Sequence, residues 1–322
     1  MPGKLVGPVQ LQDCCAVMEP QRDRKHILTI DVEDWCQGVG LAEQTCREME
    51  DRLDIGLGRV LDILASTDTK ATFFCLGMAA ERRPDLLRRI TEAGHELATH
   101  GYVHRSLHDV TADEFVRDLR CAVQAIRDAC GVTVQGYRAP YFSITRKTLW
   151  ALDVLIDHGF QYDASIAPIH HHRCGIPCTP RYPYRIQRKC GTIIECPVTT
   201  ARICGRNIPM FGGFYFRFFP YCLIRRCLRR VGRDGPGLFY VHPWELDPDQ
   251  PRIRLDLLTR IPHYWRLGST EWKLRCAIRD FALTSVAEGV LTSASLLPAP
   301  TITGPGISSA NTAAICDGPA GT

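Results

Sequence analysis

Residues 94–104, with the sequence GHELATHGYVH, join the strand pattern that decides the fold to a pair of histidines. Residues 94–98 follow a predicted helix and indicate a short strand, so His100 and His104 are expected at the carboxyl end of that strand. If the chain makes one helical turn there, histidines four residues apart point the same way, and both imidazoles can reach one divalent ion. Ordinary surface histidines can have the same spacing, so this interpretation depends on the rest of the chain.

Outward from this stretch, apolar runs that end in polar residues alternate with amphipathic segments. The predicted strands lie at 26–31, 71–77, 94–98, 136–141, 160–166 and 237–241, with a hairpin of 184–186 and 192–195. Helices are predicted at 53–64 and at 81–93, the second of which is capped by Gly94. A third helix begins at a capping box at 111–114. Two more end at about 158 and at 281. This alternation predicts a parallel α/β architecture with its functional residues at the carboxyl ends of the strands.

The composition is that of an ordinary globular protein, with 45% hydrophobic and 23% charged residues in a chain of 322. A formal charge of +4 is too small to indicate a nucleic-acid partner. Residues 1–25 show no secretory signal pattern. The sixteen cysteines are therefore expected to stay reduced and to be mostly small buried side chains. No apolar run approaches the ~20 residues that a membrane span requires.

Composition also suggests three segments. Residues 1–24 are predicted to be a flexible arm, 25–290 a single catalytic domain and 291–322 a disordered tail. An arginine-rich segment, Arg217–Arg233, lies within the domain. It is either a solvated helix face or a patch for an anionic glycan or an acidic membrane surface.

Carboxylates crowd the end of the first predicted strand, in the sequence DVED at 31–34. In an extended chain Asp31 and Glu33 share a face, whereas Asp34 joins them only if the chain turns. Crowded carboxylates repel one another, and a bound cation would relieve that repulsion. Both Glu33 and Asp34 therefore stay open as metal ligands.

Three further polar residues follow predicted strands: Arg138, Asp163 and His242. Two histidines with a carboxylate make a metal site that has open positions, while a free carboxylate and another histidine can act as base and acid. Arg138 could also form a structural ion pair, for example with Asp163, and this role is compatible with a functional one. The residues at 170–178, which include three histidines and two cysteines, are either a second metal site or a substrate-side loop, and the loop is preferred.

Six motifs occur in an order that resembles a known family. They are TIDVEDW at 29–35, TFF at 72–74, GHE at 94–96, THGYVH at 99–104, RAPY at 138–141 and FYVHPWEL at 239–246. That family is the polysaccharide deacetylases of the NodB-homology class, carbohydrate esterase family four. The segments GGFYFR at 212–217 and GSTE at 268–271 are similar to the C-terminal extension of a subgroup encoded at exopolysaccharide loci associated with exosortase and PEP-CTERM proteins. The resemblance covers residues 26–287 and implies a distorted, incomplete (β/α) barrel with a C-terminal extension at about 200–290.

The resemblance also implies roles for the matching residues. Asp31 would be the base and His242 would be the acid. The metal ligands would be His100, His104 and either Glu33 or Asp34. Arg138 would orient the base.

The remaining matching positions lie on the substrate side of the implied site. The backbone amide of Tyr141 would stabilise the oxyanion, beside Pro140 and Trp244. Asp163 would belong to the catalytic group. It is followed by Ala164, where many members of the family have a tryptophan nearby, so the wall that faces the sugar is expected to differ.

The implied function is a metal-dependent hydrolase that removes N-acetyl groups from an amino sugar in an exopolysaccharide or its lipid-linked precursor. Zn²⁺ is the default ion, and Co²⁺, Ni²⁺ or Fe²⁺ would fit the same ligands. The expected location is cytoplasmic, with peripheral inner-membrane contact through Arg217–Arg233 left open. Two alternatives remain: an amidohydrolase of a small cyclic amide on the same fold, and a non-catalytic glycan-binding module.

Overall fold

The structure, a computed structural model, describes residues 25–171 and 173–299. The predicted arm at 1–24 and residues 300–322 of the predicted tail lie outside the described residues. The strands are β1 His26–Val32, β2 Thr72–Cys75, β3 Glu96–Thr99, β4 Gly136–Tyr137, β5 Tyr162–Asp163, β6 Tyr184–Arg188, β7 Gly191–Glu195, β8 Ala201–Ile203, β9 Arg206–Ile208, β10 Leu238–Val241 and β11 Leu283–Thr284.

Nine of these strands form one sheet, in the order β10-β1-β2-β3-β4-β5-β7-β6, with β11 paired to β1 beside that path. Every pair is parallel except the antiparallel hairpin β6–β7, which matches the predicted hairpin. Within the described residues, β10 and β6 end the order and are not paired with each other, so the barrel is incomplete. The predicted fold class is confirmed.

Helices alternate with the strands along the described chain. They are α1 Trp35–Gly38, α2 Glu43–Glu48, α3 Leu53–Ala65, α4 Gly77–Arg82, α5 Pro84–Glu92, α6 Ala112–Cys130, α7 Trp150–Asp157, α8 Gly213–Phe218, α9 Tyr221–Asp234, α10 Leu257–Tyr264, α11 Thr270–Asp280 and α12 Val286–Gly289. Short 3-10 turns lie at Leu107–Asp109, Pro140–Phe142, Pro243–Leu246, Leu267–Ser269 and Leu291–Leu296. The last of these turns falls within the predicted tail.

Strand β1 is buried along its whole length, which explains its continuous apolar run. Leu28, Ile30 and Val32 pack into the large core cluster together with residues of the covering helices. Ile27 packs into a second cluster on the other face of the sheet. Because side chains alternate along a strand, Asp31 lies on the same face as Ile27, inside the barrel.

The single helix predicted at 81–93 is wrong, because the chain forms two helices, α4 and α5, that meet at Arg83. Arg83 has φ −133° and ψ 61°, and Pro84 is the first residue of α5. A residue before proline is disfavoured in the helical region, and proline lacks the N–H that would continue a helix. The predicted strands at 136–141 and 160–166 shorten to the two-residue strands β4 and β5. Just beyond them, the N–H groups of Arg138 and Ala164 still donate to the carbonyl groups of Thr99 and Tyr137, at 3.0 and 2.9 Å.

The prediction that most cysteines are buried is also wrong. Thirteen cysteines lie in the described residues, and five of them are buried. No helix of the described residues is both long and apolar enough to cross a membrane.

Candidate active site

Parallel pairing brings the carboxyl ends of six strands, β1 to β5 and β10, to one edge of the sheet. Asp31 is in register with Phe74, Thr99 with Tyr137, and Tyr137 with Asp163. On the other side of β1, Ile30 is in register with Val241, the residue before His242. The polar residues that follow these strands are therefore neighbours in space.

Glu33 is the carboxylate that joins the histidine pair. Its Oε1 atom lies 2.9 Å from Nε2 of His100 and 3.0 Å from Nε2 of His104. One ligand atom from each of these three residues lies within 4.8 Å of the other two. Burial favours the neutral form of Glu33, but the charges and hydrogen bonds of the neighbouring histidines hold its pKa well below the usual value.

Asp34, the other open candidate, lies outside this cluster. Its carboxylate accepts hydrogen bonds from the backbone N–H of Trp35 at 2.7 Å and of Arg52 at 3.0 Å, and it caps α1. Burial raises the pKa of Asp34 to about 6 despite these hydrogen bonds. The chain turns at Val32, where the N–H of Glu33 donates to the carbonyl of Asp31 at 2.9 Å.

The predicted helical turn between His100 and His104 is wrong, because this segment is an irregular bend. Gly101 reverses the chain with φ +84°, a conformation that glycine adopts without steric cost. Asp118 of α6 then fixes the bend by accepting the N–H groups of Tyr102 and Val103, at 2.8 and 3.2 Å. The two imidazoles still converge, with ring centroids 5.3 Å apart.

The donor set fits a divalent cation. Nδ1 of His100 lies 2.8 Å from the carbonyl oxygen of Arg138, and only an N–H can satisfy that oxygen. In a neutral imidazole Nε2 then carries a lone pair, yet it faces the Glu33 carboxylate at 2.9 Å. A cation between the lone pair and the carboxylate would satisfy both, and the Nδ1–H contact is the kind of outer contact that orients ligating histidines.

The base candidate, Asp31, is 1% exposed and is paired with Arg138, which is fully buried. The guanidinium also donates to Oγ1 of Thr29 at 2.9 Å and to the carbonyl of Ala164 at 3.0 Å. It lies 4.1 Å from the centre of the Phe74 ring. These contacts fix the guanidinium against Asp31, and the structural ion pair with Asp163 is not formed.

The acid candidate, His242, lies on the opposite side of Asp31. Its Nε2 atom is 3.8 Å from Oδ2 of Asp31, and its Nδ1 atom is 3.2 Å from Oε2 of Glu245. Burial lowers the pKa of His242, but the negative charges of Glu33, Glu245 and Asp31 outweigh burial and raise it to about 9. The imidazole is therefore held in its protonated, proton-donating form near neutral pH.

Glu245 is in turn held by Arg217, whose Nε donates to Glu245 Oε1 at 2.8 Å, and both side chains are buried. The placement of Arg217 in a surface arginine segment is therefore wrong. Arg217 belongs to α8, whereas the exposed arginines lie on α9. Trp244, predicted on the substrate side, is 7% exposed and stacks on His242 with ring centroids 5.2 Å apart.

The remaining predicted residues surround the turn after β4. Asp163 accepts from the N–H and hydroxyl groups of Ser165, at 3.2 and 2.5 Å, and Oγ of Ser165 accepts the N–H of Ala139 at 2.8 Å. Burial raises the pKa of Asp163. Asp163 thus stabilises the turn through Ser165. Within the described chain it makes no ion pair with His242 or Arg138.

That turn presents Pro140, which is buried, and Tyr141, which is 41% exposed. Tyr141 has φ 58°, and its ring lies 4.4 Å from that of His104. Its backbone is thus held in an unusual conformation beside the histidine pair. The competing second metal site at 170–178 finds no support, since the described part of the chain contains candidate ligand clusters only around Glu33.

Sequence reasoning missed three supporting residues: Asp118, Gly56 and Glu245. A Cβ atom on Gly56 of α3 would lie 2.0 Å from the carbonyl oxygen of Pro243, so this glycine lets the turn after His242 pack on the helix. Glu245 stands inside the quoted motif FYVHPWEL, and its position three residues after His242 was the available signal. Asp118 and Gly56 carry no local signal of their role.

Two family models match adjacent parts of the chain. The polysaccharide deacetylase model matches residues 56–162, and a domain of unknown function, DUF3473, matches residues 164–291. The first match includes the histidine pair and Arg138, whereas the second includes His242. Asp31 and Glu33 precede both.

Known deacetylases are also similar to part of this chain. A peptidoglycan deacetylase from Helicobacter pylori is 32% identical over 113 residues, which are 35% of this chain and 38% of that protein. A chitooligosaccharide deacetylase from Sinorhizobium fredii is 38% identical over 112 residues, 34% of this chain and 48% of that protein. The chain thus spans less than half the length of these two relatives.

The fold comparison extends further along the chain. The crystal structure of a protein from Mycobacterium smegmatis, assigned as a polysaccharide deacetylase, superposes with a TM-score of 0.59 at 22% identity, and covers 91% of this chain and 99% of that one. At this identity the likeness shows the fold. The family model and the curated relatives show that the chain contains a polysaccharide deacetylase domain, which the model matches over residues 56–162. The exosortase-associated subgroup stays a prediction.

Proposed function

We propose that this protein is a metal-dependent hydrolase that removes N-acetyl groups from an amino sugar. The observation that carries the proposal is the convergence of Glu33, His100 and His104 on one point, beside a buried Asp31 whose Oδ2 lies 3.8 Å from Nε2 of His242. The matched relatives named as peptidoglycan and chitooligosaccharide deacetylases support the same class of substrate.

Glu33, His100 and His104 would hold the divalent ion, and two imidazoles with one carboxylate suit Zn²⁺, with Co²⁺, Ni²⁺ or Fe²⁺ as alternatives. When bound, the ion would supply Lewis acidity toward the substrate amide and toward water. Asp34 has no part in this set, because its carboxylate is committed to the cap of α1.

The chain's own residues then account for the proton transfers. Asp31 would take a proton from the attacking water, and the guanidinium of Arg138 would fix the direction of its carboxylate. His242 would protonate the departing amine, since its pKa of about 9 keeps the proton available. The backbone N–H of Tyr141 would stabilise the oxyanion.

Within this class we propose an exopolysaccharide or its lipid-linked precursor as the substrate, on the resemblance of residues 212–217 and 268–271 to the extension of the exosortase-associated subgroup. Tyr141, half-exposed beside His104, is the aromatic ring available to a sugar at the opening of the site. The activity, its substrate and its partners are proposals for this chain.

The test is acetate release from a tetramer of N-acetylglucosamine by the purified protein. We expect release that stops after chelation, returns with Zn²⁺ or Co²⁺, and is lost in His100→Ala. A small cyclic amide is assayed in parallel. Turnover of the amide alone would replace the deacetylase proposal with the cyclic-amide alternative. Binding of the tetramer without turnover of either compound would favour the glycan-binding module.

A further inference from the structure

Helix α10 carries a row of large apolar side chains that face away from the protein. Leu258 is 87% exposed, Leu257 66% and Ile261 49%, and His263 is the buried residue of this helix. Leu258 and Ile261 are three residues apart and Leu257 and Ile261 four, so all three share one face. A surface helix of a globular protein normally turns such a row toward the core.

Aromatic residues extend this row past the end of the helix. Trp265 is 44% exposed and Phe218 of α8 is 49% exposed, with ring centroids 6.5 Å apart. Together, Leu257, Leu258, Ile261, Trp265 and Phe218 are named the α10 face. Contiguous exposed apolar surface of this kind marks interaction sites.

Hydrogen bonds hold both ends of helix α10 in place. Asp256 caps the start of α10 by accepting the N–H groups of Leu258 and Thr259, at 2.9 and 3.1 Å. At the other end, the buried guanidinium of Arg217 donates to the carbonyl groups of Pro262, His263 and Trp265 at 2.7–2.8 Å. The exposed side chains therefore belong to a helix that is fixed at both ends.

Positive charge surrounds the apolar row. Residues 252–266 contain four arginines, all exposed, and one aspartate, a formal charge of +3. The arginines are Arg252, Arg254, Arg260 and Arg266. Exposed aliphatic and aromatic side chains ringed by arginines are typical of surfaces that lie in the headgroup region of an anionic bilayer. Trp is a side chain favoured at that depth.

We propose that the α10 face docks this protein on an anionic phospholipid bilayer. A second copy is a poor occupant, because two faces of charge +3 would repel each other. The two ends of the chain outside the described residues offer no complementary charge, since residues 1–24 have three basic and three acidic side chains and residues 300–322 have a single aspartate. A purely polar anionic glycan would leave the aliphatic side chains uncovered.

The arginine-rich helix α9 provides the contrast. Its exposed residues include Arg226, Arg229, Arg230 and Arg233, while its larger apolar residues Tyr221, Ile224, Leu228 and Val231 are buried against the core. This helix offers charge without apolar insertion. On its buried side, helix α10 contacts the candidate site, because the ring of His263 lies 4.3 Å from that of Trp244, which stacks on His242. Docking would hold the site near the membrane surface.

The test is co-sedimentation of the full chain with vesicles of phosphatidylglycerol and, separately, of phosphatidylcholine. We expect binding to phosphatidylglycerol that falls at least about tenfold in Leu258→Ser/Ile261→Ser, because two aliphatic side chains lose their burial in the bilayer. The matched control, Arg229→Gln/Arg230→Gln, is expected to keep most of its binding. Leu258→Glu provides a second variant at the most exposed position, and we expect it to weaken binding as well.

Three results would overturn the proposal. The first is an absence of binding to phosphatidylglycerol by the unmodified chain. The second is binding that the α9 control loses and the α10 variant keeps. The third is a dimer in solution that Leu258→Ser/Ile261→Ser converts to a monomer, which would make a second copy the occupant. The measurement uses binding alone, so its outcome is independent of whether acetate is released.

Discussion

The two side chains proposed to move protons, Asp31 and His242, are both supported by a buried arginine, but in different ways. Arg138 contacts Asp31 directly, whereas Arg217 contacts Glu245, which in turn lies 3.2 Å from His242. Direct pairing with a guanidinium fixes the direction of a carboxylate, as a base requires. An intervening carboxylate keeps an imidazole protonated, as an acid requires. The same type of cation thus prepares opposite proton-transfer roles.

The largest effect is expected at the base. Asp31→Asn keeps the shape of the side chain but removes its proton-accepting charge, so kcat for acetate release should fall by about 10²–10⁴-fold. Steady-state kinetics at saturating metal measures this, with thermal unfolding as the check on folding. Wild-type kcat in this variant would assign the base to another residue.

A second, smaller loss of activity is expected from a substitution in α3, the helix that packs against the turn after His242. Gly56→Ala places a methyl group where the carbonyl of Pro243 now lies, so the turn that carries His242 must shift and kcat should fall by about 10²-fold. Gly58→Ala is the matched control on the same helix, because the nearest heavy atom to its new Cβ is the Arg89 guanidinium, at 3.9 Å. The control should be more stable by about 0.5–1 kcal/mol, with kcat unchanged.

Equal kinetics in these two glycine variants would show that the contact between α3 and the turn does not position the acid. That result would contradict the support proposed for His242 as the acid, and it would not affect the assignment of Asp31 as the base.

The smallest effect on rate is expected at the intervening carboxylate. Glu245→Gln removes a negative charge next to His242, so the protonated imidazole is less stabilised and its pKa falls below the present value of about 9. Because the acid must be protonated, the alkaline limb of the kcat profile should move to lower pH, and the loss should be larger above neutral pH than at neutral pH. An unchanged alkaline limb would show that Glu245 only supports the fold.

Much of this arrangement was accessible from the sequence. Strand-end positions identified His100, Arg138 and His242, because parallel strands place their carboxyl ends at one edge. The choice between Glu33 and Asp34 was not accessible, since it depends on a turn at Val32 and on the backbone of Arg52, a distant residue that binds Asp34.

Long-range partners explain the remaining misses. Arg217 looked like one of several surface arginines, and only its burial against Glu245, 28 residues along the chain, reveals its role. The spacing of His100 and His104 suggested a helix, but Gly101 and the cap from Asp118 produce the same convergence by an irregular bend. Local patterns thus located the candidate site residues better than the residues that support them.

The most direct test of this account is the divalent metal content per chain of the wild type, Glu33→Gln and Asp34→Asn, measured by elemental analysis after reconstitution. Asn is a good helix cap, so Asp34→Asn should fold normally. We predict about one ion per chain in the wild type and in Asp34→Asn, and its loss in Glu33→Gln. An ion retained by Glu33→Gln and lost from Asp34→Asn, or no uptake by the wild type, would contradict the assignment of Glu33, His100 and His104 as the metal site.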